Sequence, residues 1–369
     1  MYSIEELLNV MVEVNASDLY ISMGAYPMMN ISGETVPLEK DIITSKILEK
    51  LKLEMLTSKQ SEKFQIDREL DFTYSLPNVG RFRVNYFKQR NSDAFVVRQI
   101  IEKISSFHEL GLPDLIGELA LAKRGLVLIV GGTGSGKSTT LASLVDYRNS
   151  NLSGHILTLE DPIEFLHRHK KSVVNQREIG QDSSSYQAAL KSALREAPSM
   201  LLIGEIRDQA TMNAALSFAE TGHLVLSTLH AKTASQTIER ILSFFEPIQH
   251  EMVKLQLSQN INGIVAQRLV PGIGGGRQAS MEILLSSARV KDLIHKGEIE
   301  LLQRTIENSN SEGMISFDQS LFKLFKSELI SEEDAVQYAD HPTDLKLLIR
   351  TVAKNTYTMK IELDLIEQD

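Results

Sequence analysis

The stretch Gly131-Gly132-Thr133-Gly134-Ser135-Gly136-Lys137-Ser138-Thr139 constrains this chain more than any other segment. It has the spacing of a phosphate-binding loop, a glycine, four residues, then Gly-Lys-Ser, and it directly follows the apolar run Leu126–Val130. Glycines let the backbone wrap so that successive N–H groups face phosphate oxygens, and the helix that follows adds the positive end of its dipole. Lys137 is then placed to reach the β- and γ-phosphates of ATP, and the Ser138 hydroxyl to ligate Mg²⁺.

Three further apolar runs, Ile156–Leu159, Met200–Ile203 and Leu224–Thr228, are separated by helix-length segments. Runs buried on both faces and alternating with helices predict a mostly parallel sheet in an α/β layer fold. Gly222 stands where a C-terminal cap belongs for the helical stretch Ala210–Thr221. Hydrolysis also needs a carboxylate at a neighbouring strand end, where ligands bind in open α/β sheets. Two candidates qualify: Glu160, followed by Asp161, and Glu205. Gly204 sits where many P-loop enzymes carry a metal-binding Asp, so Glu205 is the preferred water-polarising or metal-linked group and Glu160 the competing base. His223 and His230 bracket the fourth run. Each is as apt to pack or cap as to act, but a histidine near a γ-phosphate can donate a hydrogen bond that exists with ATP and is lost with ADP.

Composition narrows the rest. With 369 residues, 42% of them hydrophobic and 24% charged, the chain has material for two or three cores. The net charge of −9, from 39 Lys plus Arg against 48 Asp plus Glu, has the wrong sign for a nucleic-acid clamp. The absence of cysteine excludes disulfides, a thiolate nucleophile and Cys-ligated metal, and suits a reducing cytosol. Met1–Glu6 lacks the pattern of a signal peptide and no apolar run approaches the ~20 residues of a spanning helix, so membrane association is expected only through a partner.

The N-terminal part reads as α+β. Leu7, Leu8, Met11 and Val12 recur at helical spacing, Leu19–Ser22 reads as a strand, and Leu70–Tyr74 and Arg81–Phe87 alternate around the turn-rich Leu76–Gly80. Period two puts Arg81, Arg83 and Asn85 on the face away from Phe82, Val84 and Tyr86, and the strand-like Ala94–Ile101 carries Arg98. The expected divisions are an N-terminal domain over 1–101, a linker over 102–113, a nucleotide-binding core over 114–285 and a helical region with a tail over 286–369. Within these, Pro271–Gly276 reads as a hairpin turn, Ser331-Glu-Glu-Asp334 as a capping box, and Met359–Leu365 as either a strand or a trailing tail.

Taken in order, Gly131–Thr139, Thr158-Leu-Glu-Asp-Pro-Ile-Glu-Phe165, Leu202-Ile-Gly-Glu-Ile-Arg-Asp208 and Gly222-His-Leu-Val-Leu-Ser-Thr-Leu-His230 resemble the Walker A, Asp box, Walker B and His box of secretion ATPases. Within that superfamily the chain is similar to the type IV pilus retraction ATPases of the PilT/PilU family, a resemblance that extends to Ala16-Ser-Asp-Leu19, Gly80-Arg-Phe-Arg-Val-Asn85 and Val174-Asn-Gln-Arg-Glu178. The resemblance implies a PAS-like N-terminal domain, a RecA-like P-loop domain with C-terminal helices, and a homo-hexameric ring that binds ATP and Mg²⁺ and acts through an inner-membrane platform protein at the cytoplasmic membrane face. It makes Glu205 the catalytic Walker B glutamate, Glu160 the Asp-box residue and His230 the His-box residue. Ser138, Glu160 and Glu205 become the metal-linked set, and Arg81, Arg83 and Arg98 the arginines that close over the phosphates. The missing cysteines separate the chain from extension ATPases with a tetracysteine motif, and Ala288-Arg-Val-Lys-Asp-Leu-Ile-His295 departs from the PilT pattern toward PilU, whose members assist a PilT-like ATPase.

Competing readings are a ring scaffold that binds nucleotide but hydrolyses little, and a type II secretion motor. A P-loop kinase would need an acceptor site and a lid, and a DNA translocase would need a basic, aromatic-interleaved stripe.

Overall fold

The computed structural model describes residues 2–31, 33–77, 79–100 and 103–351. Ile101 and the alternating stretch Met359–Leu365 lie outside the described residues. The chain divides into two compact units, one of Met1–Lys103 with Glu164–Leu166 and one holding the remainder.

The first unit runs α1 (Ile4–Glu13), β1 (Asp18–Ser22), β2 (Met28–Ile31), β3 (Glu34–Pro37), α2 (Ser45–Met55), α3 (Ser58–Asp67), β4 (Glu69–Leu76), β5 (Gly80–Gln89) and β6 (Ser92–Ile100). Its strands form one antiparallel sheet in the order β3-β2-β1-β6-β5-β4. The alternation read from β5 holds, because Phe82, Val84 and Tyr86 are buried with Leu7, Leu8, Met11, Leu51 and Phe64 of the helices. In the β5–β6 register Arg83 lies opposite Arg98 and Arg81 opposite Ile100, so the three arginines share the other face. Arg98 donates from Nε to Asp18 Oδ1 at 2.7 Å, and Arg83 lies 3.9 Å from Asp71.

The second unit runs α4 (Asp114–Leu121), β7 (Gly125–Val130), α5 (Lys137–Asn151), β8 (Gly154–Glu160), β9 (Ser172–Glu178), α6 (Tyr186–Ala193), β10 (Met200–Ile203), α7 (Gln209–Glu220), β11 (Leu224–Leu229), α8 (Ala234–Leu242), α9 (His250–Asn260), β12 (Ile261–Pro271) and β13 (Arg277–Leu285). It continues through α10 (Ala288–Lys296), α11 (Leu302–Asn308), α12 (Phe317–Lys326) and α13 (Glu332–Gln337) to a helical stretch over 342–351. Its sheet has the order β13-β12-β7-β11-β10-β8-β9, parallel throughout except for the β12–β13 hairpin.

Every residue of β7, β10 and β11 is buried, as expected of strands covered on both faces. One face packs with α6, α7, α8 and α9 and with Val290, Leu293, Leu302, Ile306 and Phe317, so the first C-terminal helices share the core of the sheet. The other face packs with α4, α5, Phe107 and Leu112. Ser331 caps α13 by accepting from the Asp334 N–H at 3.0 Å, but only half of the expected capping box forms, since the Asp334 carboxylate takes the Ser331 hydroxyl rather than the cap's backbone N–H. A shorter Asp in place of Glu or Gln is the physical reason.

Candidate active site

The phosphate loop grows out of buried β7 and ends at α5, whose N-cap is Gly136 with φ 87° and no capping side chain. The first N–H groups of α5 are therefore left for an anion. Two glycines in the loop are dictated by space. A Cβ at Gly131 would come within 2.4 Å of Ser135 Oγ and 2.6 Å of the Gln267 carbonyl oxygen, and one at Gly136 within 2.8 Å of Gln267 Nε2. Gln267, buried on β12, holds the start of α5 by accepting from Thr140 Oγ1 at 2.7 Å. Lys137 donates from Nζ to the carbonyls of Gly131 and Gly132 at 3.0 and 2.9 Å, which curls its ammonium back over its own loop.

The parallel register sets the remaining groups in a row. Leu229 pairs with Val130, Ile203 with Ser227, and Leu159 with Ile203, so the C-terminal ends of β7, β11, β10 and β8 lie side by side. The phosphate loop, His230, Glu205 and Glu160 leave those ends in that order. The loop carrying Glu205 is pinned on both sides, by Gly204 N–H to the Leu159 carbonyl at 2.8 Å and Ile206 N–H to the Thr228 carbonyl at 3.0 Å. The Thr228 hydroxyl adds a bond to the Gly204 carbonyl at 2.7 Å. A side chain at 204 would crowd Tyr186 Oη at 3.1 Å and Glu160 Cα at 3.3 Å, which explains glycine at that position.

Glu205 is oriented through both oxygens. Oε2 accepts from Arg207 Nε at 2.7 Å and lies 2.6 Å from Arg207 Nη2, while His230 Nε2 lies 3.1 Å from Oε1. That contact to a carboxylate requires the His230 proton to sit on Nε2. The Arg207 guanidinium is held above its usual value by this bond to Glu205, with Asp161 adding to the effect. Glu160 accepts from Thr158 Oγ1 at 2.6 Å and Gln176 Nε2 at 3.1 Å. Burial raises the Tyr186 hydroxyl, and the nearby carboxylate of Asp161 pushes in the same direction.

Of the residues singled out from sequence, the structure brings together Lys137, Ser138, Glu205, Glu160 and His230. His223 is elsewhere, at the opposite end of β11, where its ring meets Phe218 edge-on at 5.4 Å and Nδ1 lies 3.1 Å from the Phe218 carbonyl oxygen. Arg81, Arg83 and Arg98 belong to the first unit. Sequence reading passed over Arg207, although it stands two places after Glu205, and it passed over Thr158, Gln176 and Gln267. Gln267 has no sequence signature, since only the folded sheet carries β12 to the phosphate loop.

Among the described residues no cluster of three His, Asp or Glu side chains forms a metal cage. Mg²⁺ needs none, because it keeps waters and binds through one or two protein oxygens together with phosphates. The Ser138 hydroxyl at the start of α5 and the carboxylates at the adjacent strand ends are hard oxygen donors that fit it.

A family profile described as Type II/IV secretion system protein matches residues 4–313. The chain belongs to that family. It is 42% identical to the Type IV pilus ATPase PilU of Pseudomonas aeruginosa over 99% of this chain and 97% of that protein. The crystal structure of the pilus retraction motor PilT with bound ADP superposes with a TM-score of 0.87, at 40% identity and covering 93% of this chain and 99% of that one. The Legionella pneumophila ATPase DotB superposes with a TM-score of 0.78, at 27% identity over 94% of this chain and 95% of that one. The fold expected from sequence, an N-terminal α+β domain followed by a RecA-like ATPase domain with C-terminal helices, is the fold of these family members. Among the described residues no helix is long and apolar enough to cross a membrane.

Proposed function

We propose that this chain is the ATP-hydrolysing motor subunit of a type IV pilus machine, one that powers or assists pilus retraction in the manner of PilU. The observation that carries the reading is the row of phosphate loop, His230, Glu205 and Glu160 along one sheet edge, with Glu205 oriented through both carboxylate oxygens.

In this account the loop amides and Lys137 cradle the polyphosphate, and Ser138, with Glu205 or Glu160, holds Mg²⁺. The metal supplies charge neutralisation at the phosphoryl oxygens. Glu205 orients the attacking water and His230 donates a hydrogen bond to the γ-phosphate, so that ATP and ADP are distinguished at this position. Arg81, Arg83 and Arg98 are the arginines proposed to add positive charge to the transition state, a contribution worth ~10³-fold or more when such a group is supplied from a neighbouring subunit. The proposed assembly is a homo-hexamer at the cytoplasmic face of the inner membrane, working with a PilT-like ATPase and a platform protein.

The scaffold reading keeps one observation on its side. Glu205 Oε2 is committed to Arg207 and Oε1 lies 3.1 Å from His230 Nε2, so a water would share Glu205 with two partners already in place. Phosphate release by the purified protein decides between the two, alongside Lys137→Ala and a retraction assay in cells carrying that variant. ATP-dependent phosphate release that Lys137→Ala abolishes, together with weakened retraction, is the expected result. Wild-type protein that binds ATP without releasing phosphate, with retraction unaffected by the substitution, would overturn the motor reading.

A further inference from the structure

The segment His230–Thr233 runs between two buried ends. Leu229 closes β11 and pairs with Val130, and Ala234 opens α8 with no exposed surface. Between them His230 and Lys232 are exposed, and the backbone bonds of the segment are local, from the Ala231 N–H back to the Leu229 carbonyl at 3.2 Å and from the Lys232 N–H forward to Gln236 Oε1 at 3.3 Å. Where His230 lies therefore depends on how the two ends are held. The far end is held from another strand, because Glu282 Oε1 accepts the Ala234 N–H at 2.7 Å. We propose that Glu282 is a positioning residue for His230: by fixing the first N–H of α8 it sets the end point of the backbone that carries the imidazole to Glu205. The proposal rests on the reading of His230 as the group that senses the γ-phosphate and adds to it the residue that keeps the histidine in range.

The sheet register brings Glu282 to this place. Glu282 pairs with Ala266, Ala266 with Val130, and Val130 with Leu229, so one row across β13, β12, β7 and β11 contains Glu282 and the last residues before the phosphate loop and before His230. Residues opposite one another on neighbouring strands share a face. Ala266, Val130 and Leu229 accordingly pack in the same core as Ala234 and Ile238 of α8. Ala266, next to Glu282 in the row, is small and takes up little of the space between the sheet and α8.

The helix has its own cap, and that cap serves other groups. Thr233 Oγ1 takes the Gln236 N–H at 3.2 Å, and the Thr233 carbonyl takes the Thr237 N–H at 3.0 Å and its hydroxyl at 2.7 Å. The Ala234 N–H is one of the donors that a helix leaves without an internal partner. With Glu282 gone it becomes an unpaired donor in the core, a cost relieved by moving the start of α8 towards water and with it the segment that ends there. Burial pushes the Glu282 carboxyl up, toward the neutral form, whose carbonyl oxygen accepts the same bond. A glutamine supplies that oxygen at the same reach. The imidazole itself is aimed by Glu205, whose Oε1 lies 3.1 Å from Nε2, so Glu282 acts on the backbone beneath it.

The test is equilibrium binding of ATP and of ADP to the full-length protein, read as the ratio of the ADP to the ATP dissociation constant, for the wild type, His230→Ala, Glu282→Met, Glu282→Gln and the double variant of His230→Ala with Glu282→Met. His230→Ala is expected to lower the ratio about tenfold or more, the effect of one hydrogen bond to a charged group. Glu282→Met, similar in volume but without an acceptor, is expected to lower it about threefold or more, and to lower it no further once His230 is gone. Glu282→Gln is expected to restore the wild-type ratio. A wild-type ratio in Glu282→Met overturns the proposal, and so does an equal further loss in the His230→Ala background, since Glu282 would then act on the site at large rather than through His230. A Glu282→Gln ratio as low as that of Glu282→Met overturns it too, because the acceptor would not be what matters. His230→Ala with the wild-type ratio removes the γ-phosphate reading and the proposal with it. Where Glu282→Met does not fold, hydrogen exchange of the wild type decides: the Ala234 amide is expected to exchange as slowly as the interior of α8, and exchange as fast as that of the exposed Lys232 overturns the proposal.

Discussion

Glu205 and Glu282 show how differently the fold treats two carboxylates. Glu205 stands at a strand end with Oε2 held by Arg207 and Oε1 beside His230, and on the proposed reading it also orients the attacking water. Glu205→Gln keeps the shape and an acceptor oxygen while losing the charge, so ATP binding is expected to persist and turnover to fall ~10²-fold or more, read by nucleotide binding beside phosphate release. Glu282 on β13 is fully buried, accepts the Ala234 N–H at the start of α8 at 2.7 Å, and is pushed up to about 7 by that burial. Asp340 pushes it the same way, while the Ala234 N–H, Gln303 and Arg268 oppose the rise. Between about 4.5 and 7 the folded chain thus keeps a proton that the unfolded chain has released, so this group makes stability fall as pH rises through that window. Its full effect is on the order of 3 kcal/mol. Glu282→Gln, which retains the acceptor and cannot ionise, should therefore gain on the wild type by at least about 1 kcal/mol between pH 5 and pH 8 in denaturant unfolding. A difference that does not vary with pH would contradict the buried charge. His167 acts in the opposite sense, since burial lowers it to about 4 and its contribution is lost as pH falls below 6.5. At this scale the phosphate loop, Glu160, Glu205 and His230 were legible because strand ends and motif spacing place them. Glu282 and Gln267 were not, because nothing local marks a polar residue as buried.

At the scale of elements, the conformation of the phosphate loop makes a sharp comparison between two of its glycines. Gly136 has φ 87° and a Cβ there meets Gln267 Nε2 at 2.8 Å, whereas a Cβ at Gly132 meets nothing within 4 Å. Gly136→Ala should cost about 1–3 kcal/mol in nucleotide-free thermal unfolding, and Gly132→Ala close to nothing. Equal losses would show that the strain is not local to Gly136. The legible elements were those with a single clear pattern: β7, β8, β10 and β11 as apolar runs, and β4 and β5 as alternating ones. Sequence reading placed the hairpin turn at Pro271–Gly276 but did not delimit β12, where Asn262, Gly263, Gln267 and Arg268 interrupt the apolar residues for reasons that lie in the loop and turn that β12 supports. It also missed α2 and α3, which bury only narrow stripes, Ile47, Leu48, Leu51 and Met55 in α2 and Phe64 in α3.

For the whole molecule, the sequence reading set divisions at 1–101, 102–113, 114–285 and 286–369, and the described chain forms two compact units, the first of Met1–Lys103 with Glu164–Leu166. On the proposed function, the arginine face of β5 and β6 is the feature of the first unit assigned to turnover. Two arginines directly opposite one another on neighbouring strands repel, and the fold offsets that with Asp18 and Asp71 on the same sheet. If that face completes active sites between subunits, Arg98→Ala should lower turnover ~10²- to 10³-fold while leaving ATP affinity within a few-fold. An Arg98→Ala protein with wild-type turnover would remove it from the site. The most direct test of the central claim is steady-state phosphate release as a function of protein concentration, with sizing of the assembly, for the wild type beside Glu205→Gln. The account predicts turnover per subunit that rises as hexamers form and that is lost in the variant although ATP still binds. Turnover per subunit independent of concentration, or a Glu205→Gln protein that hydrolyses ATP at the wild-type rate, would contradict it.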